Sequence, residues 1–101
     1  MTTSSPVNWQ TIIEKHAPEL LTQISELREV VMKEGVLSTK TKTLMTMLCD
    51  ALLAHPNGVA HIAKRARSLG ASDAEIAETL GVAFLMGGLP GLVTGTNAFR
   101  D

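Results

Sequence analysis

Three residues with proton-transfer or nucleophilic side chains lie close together in the sequence: Cys49, His55 and His61. The two histidines flank a Pro-Asn-Gly turn at positions 56–58. An imidazole changes charge near neutral pH, so either histidine can act as an acid or a base. A cysteine becomes a nucleophile when its surroundings favour the thiolate. We therefore predict Cys49, His55 and His61 as candidate catalytic residues.

Each of these residues also has a structural interpretation. His61 could be a buried histidine with its hydrogen bonds satisfied in the core. His55 could be a helix-end residue that binds the last carbonyls of the preceding helix. Cys49 belongs to a residue type that is often buried as simple packing. A zinc site made from all three lacks a standard ligand spacing, so we predict no metal and no other cofactor.

The composition excludes several classes of protein. The chain has 101 residues, a length typical of one domain, and a formal net charge of −1. Its one basic cluster is at positions 64–67 and it has only three aromatic residues, so we expect no nucleic-acid partner. The N-terminus lacks a signal-peptide pattern, and we expect the apolar runs to be shorter than the ~20 residues that span a membrane. We predict a cytoplasmic protein with no membrane partner.

Hydrophobic residues recur at three- and four-residue spacing, which predicts an all-α fold of about six helices. We expect residues 1–7 to be a flexible N-terminus and residues 8–101 to form a single compact domain. The predicted helices run from Trp9 to before Pro18, from Pro18 to before Gly35, from Ser38 to His55, from Gly58 to Leu69, from Ser72 to Met86 and from Pro90 to Phe99. The expected inward residues of the third and fifth are Leu44, Met45, Leu48, Leu52, Leu53, Ile76, Leu80, Ala83 and Phe84.

The stretch from Leu37 to Arg100 resembles the carboxymuconolactone decarboxylase family, which includes the alkylhydroperoxidase D-like proteins. Three blocks carry the resemblance: STKTKTLMTML, GVAHIAKRARSLGASDAEIAETLGVAFLMGG and GGLPGLVTGTNAF. The resemblance implies an all-helical subunit that associates into trimers or hexamers. The apolar segment at positions 87–93 favours a homo-oligomer independently, because a small core does not need it.

The peroxidase branch of the family uses a Glu, a Cys-x-x-Cys pair and a His four residues after the second Cys. Aligned on His61, the two thiol positions fall at Ala54 and Asn57, and the Glu position falls at Lys42 or Thr43. Only His61 matches, so the resemblance argues against dithiol peroxidase chemistry. The decarboxylase branch lacks the cysteine pair and has a small hydroxyl residue at the Glu position, which TKTLMT resembles. That branch has an acidic residue near the position of Asn57, so its muconolactone substrate is not carried over.

We therefore predict a carboxymuconolactone decarboxylase-like protein that acts on or binds a small organic acid or lactone, with His61 as the proton-transfer group. Lys42, Asn57 and Glu78 are the candidate substrate-binding residues; Glu78 could instead pair with a basic residue of a neighbouring element. Whether the chain is an enzyme stays open, with a lyase favoured over a peroxidase. The alternatives are a non-catalytic oligomeric module that binds a ligand or partner, and a residual peroxiredoxin-type activity without the dithiol.

Overall fold

The computed structural model describes residues 8–100, which form five α-helices and one 3₁₀ helix and contain no strand. The elements are α1 (Trp9–His16), α2 (Pro18–Met32), α3 (Thr39–Leu52), α4 (Pro56–Ser68), α5 (Asp73–Gly95) and the 3₁₀ helix η1 (Thr96–Phe99). The prediction of an all-α fold is confirmed. The expected flexible segment, residues 1–7, lies outside the described residues. The chain divides into two compact units, Met1–Lys33 and Glu34–Asp101.

The first unit contains a pair of helices that have no buried residue. Asn8 begins α1 by accepting a hydrogen bond from the backbone N–H of Thr11 at 3.2 Å. Pro18 ends α1, because a proline disfavours helical backbone at the residue before it. The same proline occupies the first turn of α2, where its missing N–H leaves no intrahelical bond unmade. The apolar positions of α1 and α2 therefore have no core of their own within this unit.

The second unit contains the core, which is formed by α3, α4, α5 and η1. Its buried members are Met47, Ala51, Val59, Ala63, Ile76, Leu80, Ala83 and Ala98. Half of these side chains are alanines, and small side chains allow packed helices to approach closely. The predicted inward positions Ile76, Leu80 and Ala83 are confirmed as buried.

The buried face of α3 differs from the prediction. Its buried residues are Thr43, Met47 and Ala51. Three of the predicted inward residues are exposed instead: Met45, Leu52 and Leu53. Phe84 of α5 is also exposed, although it was predicted to face inward. The prediction followed the large apolar side chains, whereas the buried face of α3 has one large residue, Met47, between the two smaller residues Thr43 and Ala51.

The chain reverses direction within α5 at Gly88, where φ is 70° and ψ is −163°. This backbone region is essentially restricted to glycine. A Cβ on Gly95 would lie 2.5 Å from Cδ2 of Leu80, and a Cβ on Gly91 would lie 3.0 Å from the carbonyl oxygen of Ala83. The two arms of α5, residues 73–87 and 89–95, therefore pack side by side. The predicted break at Gly87-Gly88 and the helix that follows Pro90 agree with this arrangement.

The segment Asp73–Phe99 is long and apolar enough to cross a membrane by length and composition alone. The expectation that every apolar run is too short was therefore wrong, since positions 79–99 contain no charged residue. The reversal at Gly88 means that the segment is not one straight rod. Only 22% of its most apolar window is buried, so most of that surface faces outward in a single chain.

Candidate functional site

His61 lies on the side of α4 that faces away from the core. Val59, Ala63 and Ala66 define the buried side of this helix, while His61 is exposed. Asn57 is four residues earlier, and residues at that spacing are neighbours on one helical face. The imidazole of His61 forms no hydrogen bond or ion pair with another residue among those described. It is therefore not the buried, satisfied histidine of the structural interpretation.

The turn that leads into α4 is strained. Ala54 has a φ of 61°, in the left-handed region that glycine adopts without steric cost. His55 follows as the residue flanking α4, and its side chain makes no capping hydrogen bond to the helix. Its backbone N–H instead donates to the carbonyl oxygen of Asp50 at 2.9 Å. The helix begins at Pro56, two residues earlier than predicted, because proline is well suited to a first helical turn.

His55 is held by Asp50, a residue that the sequence analysis did not select. Nδ1 of His55 lies 2.9 Å from Oδ1 of Asp50. The Asp50 side chain is 22% exposed and that of His55 is 55% exposed. The other carboxylate oxygen of Asp50 lies against Gly58, where a Cβ would collide with it. When Nδ1 carries the proton, it donates to Asp50 and leaves Nε2 of His55 as an accessible acceptor.

Asn57 binds an arginine that the sequence analysis also missed. The side-chain oxygen of Asn57 accepts a hydrogen bond from Nη2 of Arg100 at 2.6 Å. Nη1 of the same guanidinium donates to Oδ1 of Asn97 at 3.1 Å. Arg100 follows η1 and is exposed. This contact joins residues 43 positions apart, so no local spacing rule could have indicated it.

The other predicted site residues lie on α3 and α5. Cys49 is exposed, so the packing interpretation of this thiol is wrong. Lys42 is half-buried near the start of α3, with its Nζ close to Gly35. Glu78 is exposed on the first arm of α5, and it forms no ion pair with a described residue. Neither Cys49 nor Glu78 is hydrogen-bonded to either histidine of the candidate site.

Arg67 connects the C-terminal end of α4 to neighbouring elements. Its Nε and Nη2 both lie 3.1 Å from Oδ1 of Asp73. Its Nη1 donates to the carbonyl oxygen of Ala98 at 2.8 Å. The guanidinium carbon also lies 5.4 Å from the centre of the Phe99 ring, within the range of a cation–π contact. Arg67 thus joins α4, α5 and η1.

The predicted capping box at the start of α5 is confirmed. Ser72 and Glu75 exchange side-chain and backbone hydrogen bonds. Glu75 also forms an ion pair with Lys40 at 2.9 Å. The Ser72 backbone N–H, and after it the Lys40 ammonium, hold the pKa of Glu75 below its usual value. Capping and the ion pair with Lys40 therefore explain Ser72 and Glu75 as structural residues, without a role in a site.

Within residues 8–100, no group of three or more histidines, cysteines or acidic residues is arranged to hold a metal ion. Cys49, His55 and His61 therefore do not come together as such a group in this part of the chain. The start of α4 carries two exposed imidazoles. His55 lies beside the Asp50 carboxylate, and the Arg100 guanidinium is hydrogen-bonded to Asn57, four residues before His61. These groups are suited to proton transfer and to binding an anion.

Comparison with known proteins identifies the family. The family model for carboxymuconolactone decarboxylases matches residues 18–101. A solved structure of a carboxymuconolactone decarboxylase family protein from Legionella pneumophila is 34% identical in sequence with a TM-score of 0.82, over 87% of this chain and 79% of that chain. No curated protein matches significantly. The match includes α2, which the sequence resemblance did not cover. On this combined similarity, the chain belongs to the carboxymuconolactone decarboxylase family.

Proposed function

We propose that this chain acts on or binds a small organic acid or lactone in the cytoplasm, with His61 as the proton-transfer group. The observation that carries the proposal is the position of His61, exposed on the outer face of α4 with a side chain that bonds to none of the described residues. By resemblance, it is also the one member of the peroxidase branch's catalytic set that this sequence retains.

The proposed chemistry needs only proton transfer. In a decarboxylation, the bond from carbon to the carboxylate breaks, carbon dioxide leaves and the electron pair remains on the carbon. The imidazolium form of His61 would donate a proton to that carbon, and water would reprotonate the imidazole. In a lactone isomerisation, neutral His61 would first remove a proton from one carbon and then return it to another.

The experiment is a turnover assay across a panel of small acids and lactones. We expect His61→Gln to lower turnover by about 10²-fold or more, the usual contribution of a positioned acid or base. His16→Gln, at an exposed histidine of α1, is the matched control and should retain activity. His55→Gln reports whether the Asp50-bound imidazole shares the role. Equal rates for the native chain and His61→Gln would remove His61 from the mechanism.

We further propose that the working form is a homo-oligomer, a trimer or a hexamer. Large apolar side chains of α5 face outward, among them Leu85, which is 79% exposed, and Met86, which is 71% exposed. Burying one such side chain stabilises an assembly by about 1.5–3 kcal/mol. Light scattering should give an oligomeric mass that Leu85→Glu lowers and Ala77→Glu, at another exposed α5 position, leaves unchanged. A native chain that stays monomeric at micromolar concentration would contradict this assembly.

A non-catalytic binding module is the second candidate. The positions of the two family thiols hold Ala54 and Asn57, and the Asn57 side chain is occupied by Arg100. A methyl group at one position and a hydrogen-bonded amide at the other therefore stand where the peroxidase branch has thiols. A thermal-shift screen that finds ligands without any turnover would favour this candidate over the enzyme.

A peroxide-consuming activity at Cys49 is the third candidate, and the exposure of its thiol is the observation in its favour. The thiolate would attack the peroxide O–O bond, forming a sulfenic acid and releasing an alcohol or water. An external thiol would have to reduce the sulfenic acid, because the sequence contains one cysteine. Peroxide consumption that persists in Cys49→Ser would eliminate this mechanism.

A further inference from the structure

Arg100 has an oriented positive charge without an acidic partner. Its two hydrogen bonds go to neutral amide oxygens, of Asn57 at 2.6 Å and of Asn97 at 3.1 Å. No carboxylate among the described residues forms an ion pair with it. A guanidinium has five N–H donors, so three remain for another acceptor. The two asparagines fix the plane of the group while its charge stays available.

The surroundings of this guanidinium favour an anion. Asn57 and His61 are one helical turn apart, which brings their Cβ atoms to about 5–6 Å of each other. The sequence of α4 contains no Asp or Glu, and Lys64 and Arg65 follow His61 as exposed basic residues. Arg100 is therefore bonded to the residue one helical turn before His61, on a helix whose own side chains carry no negative charge.

We propose that Arg100, positioned by Asn57 and Asn97, binds a carboxylate of the substrate next to His61. A planar guanidinium matches a carboxylate through two parallel N–H···O bonds, which a lysine ammonium cannot reproduce. The inference rests on the proposed function, to which it adds the residue that holds the carboxylate of the substrate. Lys42, a basic residue that the sequence predicted to bind substrate, lies on α3 with its Nζ close to Gly35.

The test is equilibrium binding of succinate to the full chain, at constant ionic strength so that charge screening does not vary. Succinamide, which has the same shape without the charge, is the control ligand. We expect saturable succinate binding that Arg100→Gln weakens by about tenfold or more, because charge-assisted bidentate bonds are lost. Arg100→Lys should recover only part of the affinity, since it restores the charge without the planar geometry.

Lys64→Gln is the matched variant, because it removes the same charge from the same face without touching Asn57. It should keep the affinity within about twofold, as expected for a solvated charge. The proposal is overturned if Arg100→Gln binds succinate as well as the native chain, if Lys64→Gln loses as much, if succinamide binds equally, or if no succinate binds. The proposed function is tested separately by turnover. If turnover is unchanged in His61→Gln while succinate binding depends on Arg100, the proposed function fails and the carboxylate site stands.

Discussion

The two ends of α4 are built differently. At the C-terminal end, the Arg67 guanidinium is engaged by a carboxylate, a carbonyl and an aromatic ring, and the next helix starts with a complete capping box. At the N-terminal end, Ala54 has a strained backbone and no side chain caps the helix. The Arg100 guanidinium donates to two amide oxygens and pairs with no carboxylate within residues 8–100. Strained and incompletely paired groups often mark functional sites. We therefore propose that the chemistry of this chain lies at the start of α4, whereas the end of the helix anchors it to α5 and η1.

The largest effect should come from removing the C-terminal anchor. Arg67→Ala loses the contacts with Asp73, Ala98 and Phe99 together, and we expect it to lower the free energy of unfolding by about 2 kcal/mol. Arg65→Ala, two residues away and exposed, should change it by less than about 0.5 kcal/mol. Urea denaturation measures both. Equal effects would mean that Arg67 is no more structural than its neighbour.

The capping box at the same end should give the next largest effect. Ser72→Ala leaves the Glu75 amide without its acceptor, which costs about 1 kcal/mol in comparable caps. Ser68→Ala is the control, because the Ser68 hydroxyl only donates to the carbonyl oxygen of Arg65 within the same helix. Thermal unfolding should separate the two variants clearly, and a Ser72→Ala midpoint equal to the native one would show that the cap contributes nothing.

At the N-terminal end of α4, relieving the strain at Ala54 should raise the free energy of unfolding rather than lower it. Ala54→Gly relieves the positive φ, and we expect it to raise the free energy of unfolding by about 0.5–1 kcal/mol. Ala77→Gly, in the middle of α5, should lower it by about 1 kcal/mol, because glycine is a poor helix former. Denaturant titration of the pair gives the sign directly. A loss of stability in Ala54→Gly would contradict the strain assigned to this turn.

Removing Arg100 should have little effect on stability. Arg100 is exposed and its partners are the exposed Asn57 amide and the half-buried Asn97 amide, so we expect Arg100→Gln to change the free energy of unfolding by less than about 0.5 kcal/mol. The contrast with Arg67→Ala, measured under the same conditions, is what separates an anchoring arginine from one that is free to bind. A loss as large as that of Arg67→Ala would remove the distinction between the two ends.

The smallest effect concerns pH and Glu75. Because its pKa is lowered in the folded chain, the bonds to Ser72 and Lys40 stabilise the fold at neutral pH, and this stability is lost as the pH falls through the folded-state pKa. Glu75→Gln lacks this titration. Native protein should therefore lose more stability than Glu75→Gln between about pH 7 and about pH 3. Parallel losses would show that Glu75 makes no pH-dependent contribution.

The parts of the fold that were predictable are those with local signals. Ser38 and Ser72 cap α3 and α5 because their hydroxyls reach amides three residues later. Gly88 interrupts α5 because its backbone conformation suits glycine. The buried face of α3 was not predictable by size, since Thr43 and Ala51 fill an interior that Leu52 and Leu53 do not enter. Which residues of α3 are buried depends on how closely the neighbouring helices approach, and the sequence of α3 alone does not determine this distance.

The candidate site was predictable only in part. His61 was selected through the family resemblance, and its exposure was settled by the structure. Asp50 had a weak signal, an acid five residues before His55 across a turn. Arg100 had none, because its contact with Asn57 depends on the path of α5 and η1 between them. Side chains that meet through tertiary structure lie beyond any spacing rule.

One titration tests the difference between the two ends of α4 most directly. The native chain, observed by NMR at the guanidinium Nε–H groups and the asparagine side-chain amides, is titrated with succinate. The account predicts saturable shifts at Arg100, Asn57 and Asn97 and at the ring of His61, with Arg67 unmoved because Asp73 already occupies it. Shifts of equal size at Arg67 and Arg100, or shifts confined to Arg67, would contradict it.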